Sequence, residues 1–443
     1  MNFEADRQTL DDLGILPNAN NHKSVFALFN NTKTLGGNDK LTEIFRKPLT
    51  DAGAIKNRIE TISYFLNNDT KLLVDKQSCD FADFYLKKHY HIRPFSQIIG
   101  FFEKIIYTFN SNNDYYVIQQ GISNTLSILN TLLIFFEADI EEFPKILQDF
   151  RAIILETFTS EDFIFIRGLI HKPKINSIEL ARADRILRYS ATDQIKVLLD
   201  IIYQLDLYIS VSVTAKHFGF TLPIIKDREQ STLVFEGLFH PFINNPVVND
   251  VGFDADHNLC FVTGTNMAGK STFLKAVGIS IYLSQLGFPV PASYMETSVF
   301  DGLITTINID DNIDKGHSHF YSEVLRVKHV AKKISESQNV FVIFDELFRG
   351  TNVKDAYDAS LAIISAFAKV RKCFFMVSTH IVEVANDLQS IDNIDFRYME
   401  TVFDDGNPTY SYKLKEGITE ERLGMWIVKN EGIVEIIEGA INS

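Results

Sequence analysis

The sequence predicts a mixed, largely parallel α/β domain preceded by an all-α domain, and three observations carry that prediction. Short apolar runs at Leu259–Thr263, Val340–Phe344 and Phe374–Ser378 read as buried strands, with helical stretches between them; this is the alternation of a parallel sheet. The first half instead repeats its apolar residues at helical spacing. Near residue 220 the texture changes, where Gly219, Pro223 and the charged segment Lys226 to Glu229 lead into short β-rich runs broken by Gly, Pro and Asn. The boundary is placed at about residue 230, giving a helical domain over 1–230 and the α/β domain over 231–443.

Within the first half, Leu41, Ile44 and Phe45 share one helix face, and Pro48 marks its end. Thr50 and Asp51 suit the N-terminal cap of a second helix carrying Ile55, Ile59, Ile62 and Leu66. Thr192 precedes Ile195, Leu198, Leu199, Ile202 and Leu205, a strong amphipathic pattern. Residues 70 to 190 also read as helical, with looser boundaries.

Composition narrows the class. Hydrophobic residues make up 46% of the 443 and charged residues 23%, with 37 Phe and 16 Tyr, enough apolar material for large packed cores. No uninterrupted apolar run reaches the roughly 18 residues that cross a bilayer, and the N-terminus has no basic region followed by an apolar stretch, so no membrane contact is expected. The three cysteines form no CxxC pair and read as small core residues of a reducing, cytoplasmic protein. Net charge is −14, with most of the acidic excess beyond residue 230. Contact with a polyanion is therefore expected in the first half, through a local patch rather than a global field.

The strand Leu259–Thr263 runs directly into Gly264, Thr265, Asn266, Met267, Ala268, Gly269, Lys270 and Ser271, followed by Thr272 and a helix. This satisfies the phosphate-loop pattern GxxxxGK followed by Ser or Thr. Glycines let the backbone curl so that successive N–H groups converge on phosphate oxygens at the positive end of the next helix. Lys270 would reach the β- and γ-phosphates of ATP, and the Ser271 hydroxyl would ligate Mg²⁺. An incidental Lys-Ser in a Gly-rich turn is the blander reading, and the strand–loop–helix context opposes it. A second acidic element follows: Val340–Phe344 ends in Asp345 and Glu346, at the strand edge where ligands collect in such sheets. Asp345 suits the metal and Glu346 activation of the attacking water. The third strand ends in Ser378, Thr379 and His380, an imidazole placed to hydrogen-bond the γ-phosphate or the water.

Beyond these generic motifs the chain resembles the MutS family. GTNMAGKST is similar to its phosphate loop, with Thr265 where Pro is usual; FVIFDELFRGTN to its acidic motif; FFMVSTHIVEVAND to its switch strand; YSYKLKEGITEERLGMWIVKNEGI to its terminal segment. SVFDGLITTINIDDNIDKGHSHFYSEV resembles the stretch with the ABC-like signature, with Ser318 and Glu323 matching and with Thr306 and Asn308 in place of an Arg-Ile-Gly run. NTKTLGGNDKLTEIFRKPLTDAGAIKNRIETISYF and SVSVTAKHFGFTLPII are similar to the two ends of the helical core domain. The resemblance implies a helical core and lever domain over 1–230, with a reduced clamp, followed by an ABC-class P-loop ATPase domain over 231–443. It further implies a homodimer in which Ser318 acts in trans on the partner's γ-phosphate, and a short form without the mismatch-reading and connector domains. Val247 stands where the family often stacks an aromatic residue on adenine. Two Phe-x-Glu tripeptides, at Phe101 and Phe135, are expected to be core sequence rather than base wedges.

The best basic stretch contains Arg167, Lys172, Lys174, Arg182, Arg185 and Arg188. It is placed to track a phosphate backbone, while an ordinary solvated face is an equal reading. The leading expectation is an ATP-hydrolysing, DNA-binding protein of the mismatch-repair type, switching a clamp on mismatched, branched or damaged DNA. The alternative is the same ATPase module acting on RNA, a ribosome or a protein.

Overall fold

The computed structural model describes residues 3–18, 23–68, 76–87, 112–137, 143–265, 267–307, 319–337, 339–404, 407–419, 426, 428 and 430–441. Two compact units divide the chain. One comprises residues 1–27, 47–56 and 217–443, the other 28–46 and 57–216. The division is thus not a single cut: the N-terminal 27 residues, whose flanking sequence is helical, belong with the sheet.

The second unit is helical. In the first unit, Asp51 accepts the Ala54 N–H at 2.7 Å at the start of the helix Ala52–Asn67, the capping its sequence implies. The long helix Thr192–Phe218 buries Ile195, Leu198, Leu199, Ile202 and Leu205. Its one deeply buried carboxylate, Asp206, accepts the backbone N–H groups of Lys33 and Thr34 and the Thr34 hydroxyl, at 2.8–3.0 Å, which offsets the cost of burying a charge. Among the described helices it alone is long and apolar enough to cross a bilayer; 67% of its most apolar window is buried inside the protein. A core helix passes that test because its neighbours cover it on most sides. Phe135 packs against Phe65, Phe136 and Phe143, so it is core sequence; Phe101 lies outside the described residues.

The first unit is built on two sheets. A four-stranded sheet orders β1 (Ile224–Lys226), β5 (Tyr294–Ser298), β2 (Leu233–Leu238) and β3 (Asn249–Phe253) side by side. A six-stranded sheet runs β10 (Asn407–Glu416), β9 (Ile394–Asp404), β4 (Leu259–Thr263), β8 (Phe374–Ser378), β7 (Val340–Phe344) and β6 (Gly302–Thr306). All its pairings are parallel except the β9–β10 hairpin. Every residue of β4, β7 and β8 is buried, because strands covered on both faces need apolar side chains at successive positions. Alternation still sorts the faces. Leu259, Phe261, Val342, Phe344, Phe375 and Val377 share a core with Val327, Val330, Ile364 and Phe367 from the helices His319–Glu336 and Val353–Ala368. Ile343 turns the other way, toward the helix Lys270–Gln285, where Gly278 permits close approach: a Cβ there would stand 2.7 Å from Leu13 and 3.2 Å from Ile343.

Phe367 stacks on Phe344 and Phe375 with ring centroids 5.7 and 4.8 Å away. Replacing it with alanine is expected to destabilise the sheet unit by about 3–5 kcal/mol. The change should appear as a lower denaturant midpoint at unchanged slope.

Candidate functional site

The loop after β4 folds as its glycines require. Gly264 and Gly269 have φ of 139° and 99°, and Met267 between them has φ of 71°, so the backbone turns back on itself ahead of the helix that starts at Lys270. A side chain is disfavoured at the first glycine: its φ is one L residues rarely adopt, and a Cβ there would lie 3.2 Å from the Met399 backbone oxygen. Thr265 is buried, and its hydroxyl bonds that of Thr401 on β9 at 3.0 Å. This polar tie anchors the loop to the neighbouring strand. Ala268 is buried, Thr272 half-buried and Ser271 exposed. Asn266 lies outside the described residues.

Lys270 is 5% exposed, and its ammonium donates to the carbonyl oxygens of Gly264 and Thr265 at 2.7 and 3.1 Å. Two of its three donors are therefore held by the loop itself. Burial lowers its pKa, and the carboxylates of Asp345 and Glu346 work against that shift.

The ends of β7 and β8 are joined through Ser378. Its buried hydroxyl donates to Asp345 Oδ1 at 2.5 Å and accepts the Glu346 N–H at 3.1 Å, while the Leu347 N–H donates to its carbonyl at 3.2 Å. Glu346 has φ of 56° and Phe348 φ of 61°. Left-handed backbone at a residue with a Cβ costs about 1–3 kcal/mol and is held only where the surroundings over-determine it. The consequence is a carboxylate turned to face β8. Glu346 Oε1 lies 2.6 Å from His380 Nε2, and Oε2 lies 2.9 Å from Arg349. The hydrogen bond from His380 is the main reason the Glu346 carboxyl falls to a pKa of about 2, with Arg349 adding to it and burial opposing.

A cavity of about 120 Å³ opens between these elements, lined among others by Ser271, Asp345, Glu346, Arg349, His319 and Glu323. The structure therefore brings Ser271, Asp345 and Glu346 to one cavity, with His380 on Glu346 and the Lys270 amine within electrostatic reach of both carboxylates. Glu323 is 5% exposed, and its Oε2 is buried without a hydrogen-bond partner among the described residues; burial raises its pKa, against His319 and the backbone N–H groups of Gly350 and Arg349. Thr306, at the end of β6, accepts a hydrogen bond from Arg326 at 3.2 Å. Ser318 and Asn308 lie outside the described residues.

One residue the motifs did not single out stands beside the loop. Tyr412 is 47% exposed with φ of 55°, and its ring edge comes within 3.1 Å of a Cβ built on Gly269. Asn249 fixes it there, donating to the Tyr412 carbonyl at 3.0 Å and accepting the Leu414 N–H at 2.8 Å. Val247 is half-buried nearby in sequence. Tyr412 follows Tyr410 in a polar strand, and nothing local in sequence ties such a residue to the distant loop.

The basic stretch does not form one continuous cationic face. Arg188 must be removed from it: its side chain is 3% exposed, paired with Asp184 and set over the Tyr85 ring. Arg167 pairs with Glu137 at 2.6 Å, Lys172 pairs with Glu179, and Arg182 lies over the Phe165 ring at 4.1 Å. Lys174, Arg182 and Arg185 are exposed.

Comparison with known proteins agrees with this architecture. The family model for MutS domain III matches residues 8–212 and that for MutS domain V matches residues 260–443. The DNA mismatch repair protein MutS of Petrotoga mobilis is 23% identical over 98% of this chain and 63% of its own length. DNA mismatch repair protein spellchecker 1 of Drosophila melanogaster and MutS of Lactococcus lactis are each 28% identical, over 51% and 54% of this chain and 25% and 29% of their own lengths. The chain thus spans less than two thirds of each of these relatives. With one family model on the helical half and another on the sheet half, the chain belongs to the MutS family.

Proposed function

We propose that this chain binds ATP with Mg²⁺ at the Gly264–Thr272 loop and hydrolyses it, using the exchange to switch a DNA-binding state. The observation that carries the reading is that Asp345 and Glu346 line a cavity together with Ser271, with His380 bonded to Glu346 from the adjacent strand end. The residues fit the cofactor. Backbone N–H groups of the curled loop and the start of a sixteen-residue helix suit anionic phosphates. The Ser271 hydroxyl and Asp345 carboxylate are hard oxygen donors of the type Mg²⁺ takes together with water and phosphate oxygens. Among the described residues no group of three or more His, Cys, Asp or Glu side chains is arranged to hold a metal, so the ion would come with the nucleotide.

In this reading Lys270 leaves its own loop carbonyls for the β- and γ-phosphates, trading two neutral acceptors for charged ones. Glu346 orients and deprotonates the attacking water, and His380 holds the carboxylate in place and bonds the γ-phosphate or that water. A carboxylate held at about 2 is a poor base, so nucleotide binding is proposed to release Glu346 from Arg349 while His380 keeps it oriented. Tyr412 offers a ring edge beside the loop for the adenine. The chain is proposed to act as a homodimer in the cytoplasm, with Ser318 reaching the partner's nucleotide. The helix Ile433–Ile441 supports a second copy: it exposes Ile433, Val434, Ile436 and Ile437 by 43–70%, an apolar face that association would cover.

DNA in mismatched, branched or damaged form is the proposed target, through Lys174, Arg182 and Arg185 with Arg167 and Lys172 released from their acidic partners. The test is the ATPase rate with homoduplex, mismatched, branched and single-stranded DNA and with RNA, at two salt concentrations. Stimulation by DNA that fades steeply as salt rises is expected. Stimulation by RNA alone, or by neither polymer, would move the target to RNA, a ribosome or a protein.

A further inference from the structure

Residues 3–12 are tied to two elements that flank the cavity, and the ties are unusually dense. Glu4 forms a parallel bridge with Gly302, exchanging backbone hydrogen bonds with Asp301 and Leu303 at 2.9 Å, which extends the six-stranded sheet beyond β6. Asp6 caps the helix Arg7–Asp12 and accepts the Thr9 N–H at 2.9 Å. Thr9 and Asp12 are buried. Thr9 accepts the Thr305 N–H at 3.0 Å, and Asp12 accepts both the Thr305 hydroxyl at 2.7 Å and the Ile307 N–H at 2.9 Å. These bonds hold the C-terminal end of β6.

The helix His319–Glu336 is held by the same segment. The Arg326 guanidinium forks onto both oxygens of Asp6, and also donates to the Thr305 carbonyl at 2.6 Å and the Thr306 hydroxyl at 3.2 Å. Lys333 pairs with Glu4 at 2.7 Å one to two turns further on. Arg326 therefore pins strap, strand end and helix together with one planar group, a geometry that lysine does not reproduce.

The N-terminal end of that helix meets the acidic motif. His319 and Glu323 line the cavity with Asp345 and Glu346, as do Thr306 and Ile307 from the β6 end. Gly350, in the turn after the acidic motif, packs so closely on the helix start that a Cβ would lie 2.7 Å from His319 Nδ1 and 2.8 Å from the Phe320 nitrogen. Arg349 in that turn is the ion-pair partner of Glu346. A rigid path thus runs from Asp6 through Arg326 and the helix to the turn that fixes Glu346.

We propose that residues 3–12 form a strap that positions the His319 helix and the end of β6 against Asp345 and Glu346, with Asp6 and Arg326 as its positioning residues. The inference rests on the reading of this cavity as the site of ATP hydrolysis. The strap touches none of Gly264 to Ser271 in the bonds described, so it bears on turnover and not on nucleotide capture. In chemical terms, it holds one wall of the cavity at the spacing the attacking water needs, and small misplacements there are costly in rate.

The experiment uses the full chain and three variants: Asp6→Asn, Arg326→Gln and the pair combined. Affinity for a fluorescent ATP analogue, the single-turnover hydrolysis rate and the melting temperature are read on each. The proposal expects analogue affinity within about twofold of wild type, and hydrolysis slowed at least about tenfold in each single variant. The double variant should be no slower than the slower single one, because both changes break one linkage. Three outcomes would overturn it: wild-type rates in either single variant, affinity and rate falling in parallel with the melting temperature, or multiplicative losses in the double variant. A wild-type chain that binds the analogue but shows no hydrolysis would instead refute the ATPase reading, and the strap proposal with it.

Discussion

Lys270→Ala is expected to weaken ATP binding at least about 100-fold while leaving the fold intact. The side chain is a buried ammonium whose two engaged donors rest on its own loop carbonyls. Hydrogen bonds to charged groups contribute about 1.5–3 kcal/mol each, so losing two to phosphate amounts to two or more powers of ten in affinity. The loop itself does not need the amine to turn, because Gly264 and Gly269 supply the conformation and Thr265 is anchored separately on Thr401. Isothermal titration with ATP checks the affinity, and a melting curve checks the fold. Wild-type affinity in Lys270→Ala would place the nucleotide elsewhere.

The second large effect is kinetic. Glu346→Ala should bind ATP as wild type does and lose about 10²–10⁴ of its hydrolysis rate, the usual worth of a positioned general base. Equal rates in variant and wild type would remove Glu346 from that role. The variant also has a stability signature with a definite sign. The Glu346 pKa lies at about 2, below its ordinary value of 4.5, so the folded state favours the ionised form. That contribution is complete above about pH 4.5 and is lost as pH falls toward 2. Wild type should therefore lose more stability than Glu346→Ala between those limits, and the two acid-unfolding curves should converge toward pH 2.

How much of this was legible beforehand depends on the range of the interactions. The strands β4, β7 and β8 coincide with the three apolar runs read from sequence, because a strand buried on both faces leaves an unbroken apolar signature. Glu346 and His380 were singled out from their places at strand ends, and parallel register then brings those ends side by side. What the sequence hid was long-range. The segment Phe3–Asp12 is short, polar and helical in texture, and its partners Thr305 and Arg326 lie some 300 residues away, so its membership of the sheet unit has no local sign. The burial of Arg188 has no local sign for a related reason. Charge in a basic stretch does not reveal exposure, and a Tyr85–Asp184 pocket takes that guanidinium out of the surface. The left-handed turn at Glu346 is equally silent, since a glutamate gives no hint of positive φ.

The binding and turnover expectations depend on a nucleotide seated on the Lys270 loop against Asp345 and Glu346. The most direct measurement is calorimetric titration of the full chain with ATP, with Mg²⁺ present and then chelated. One saturable site per chain, weakened at least about tenfold without the metal, is what the arrangement of Ser271 and Asp345 predicts. Heat that never saturates, or affinity indifferent to Mg²⁺, would contradict it.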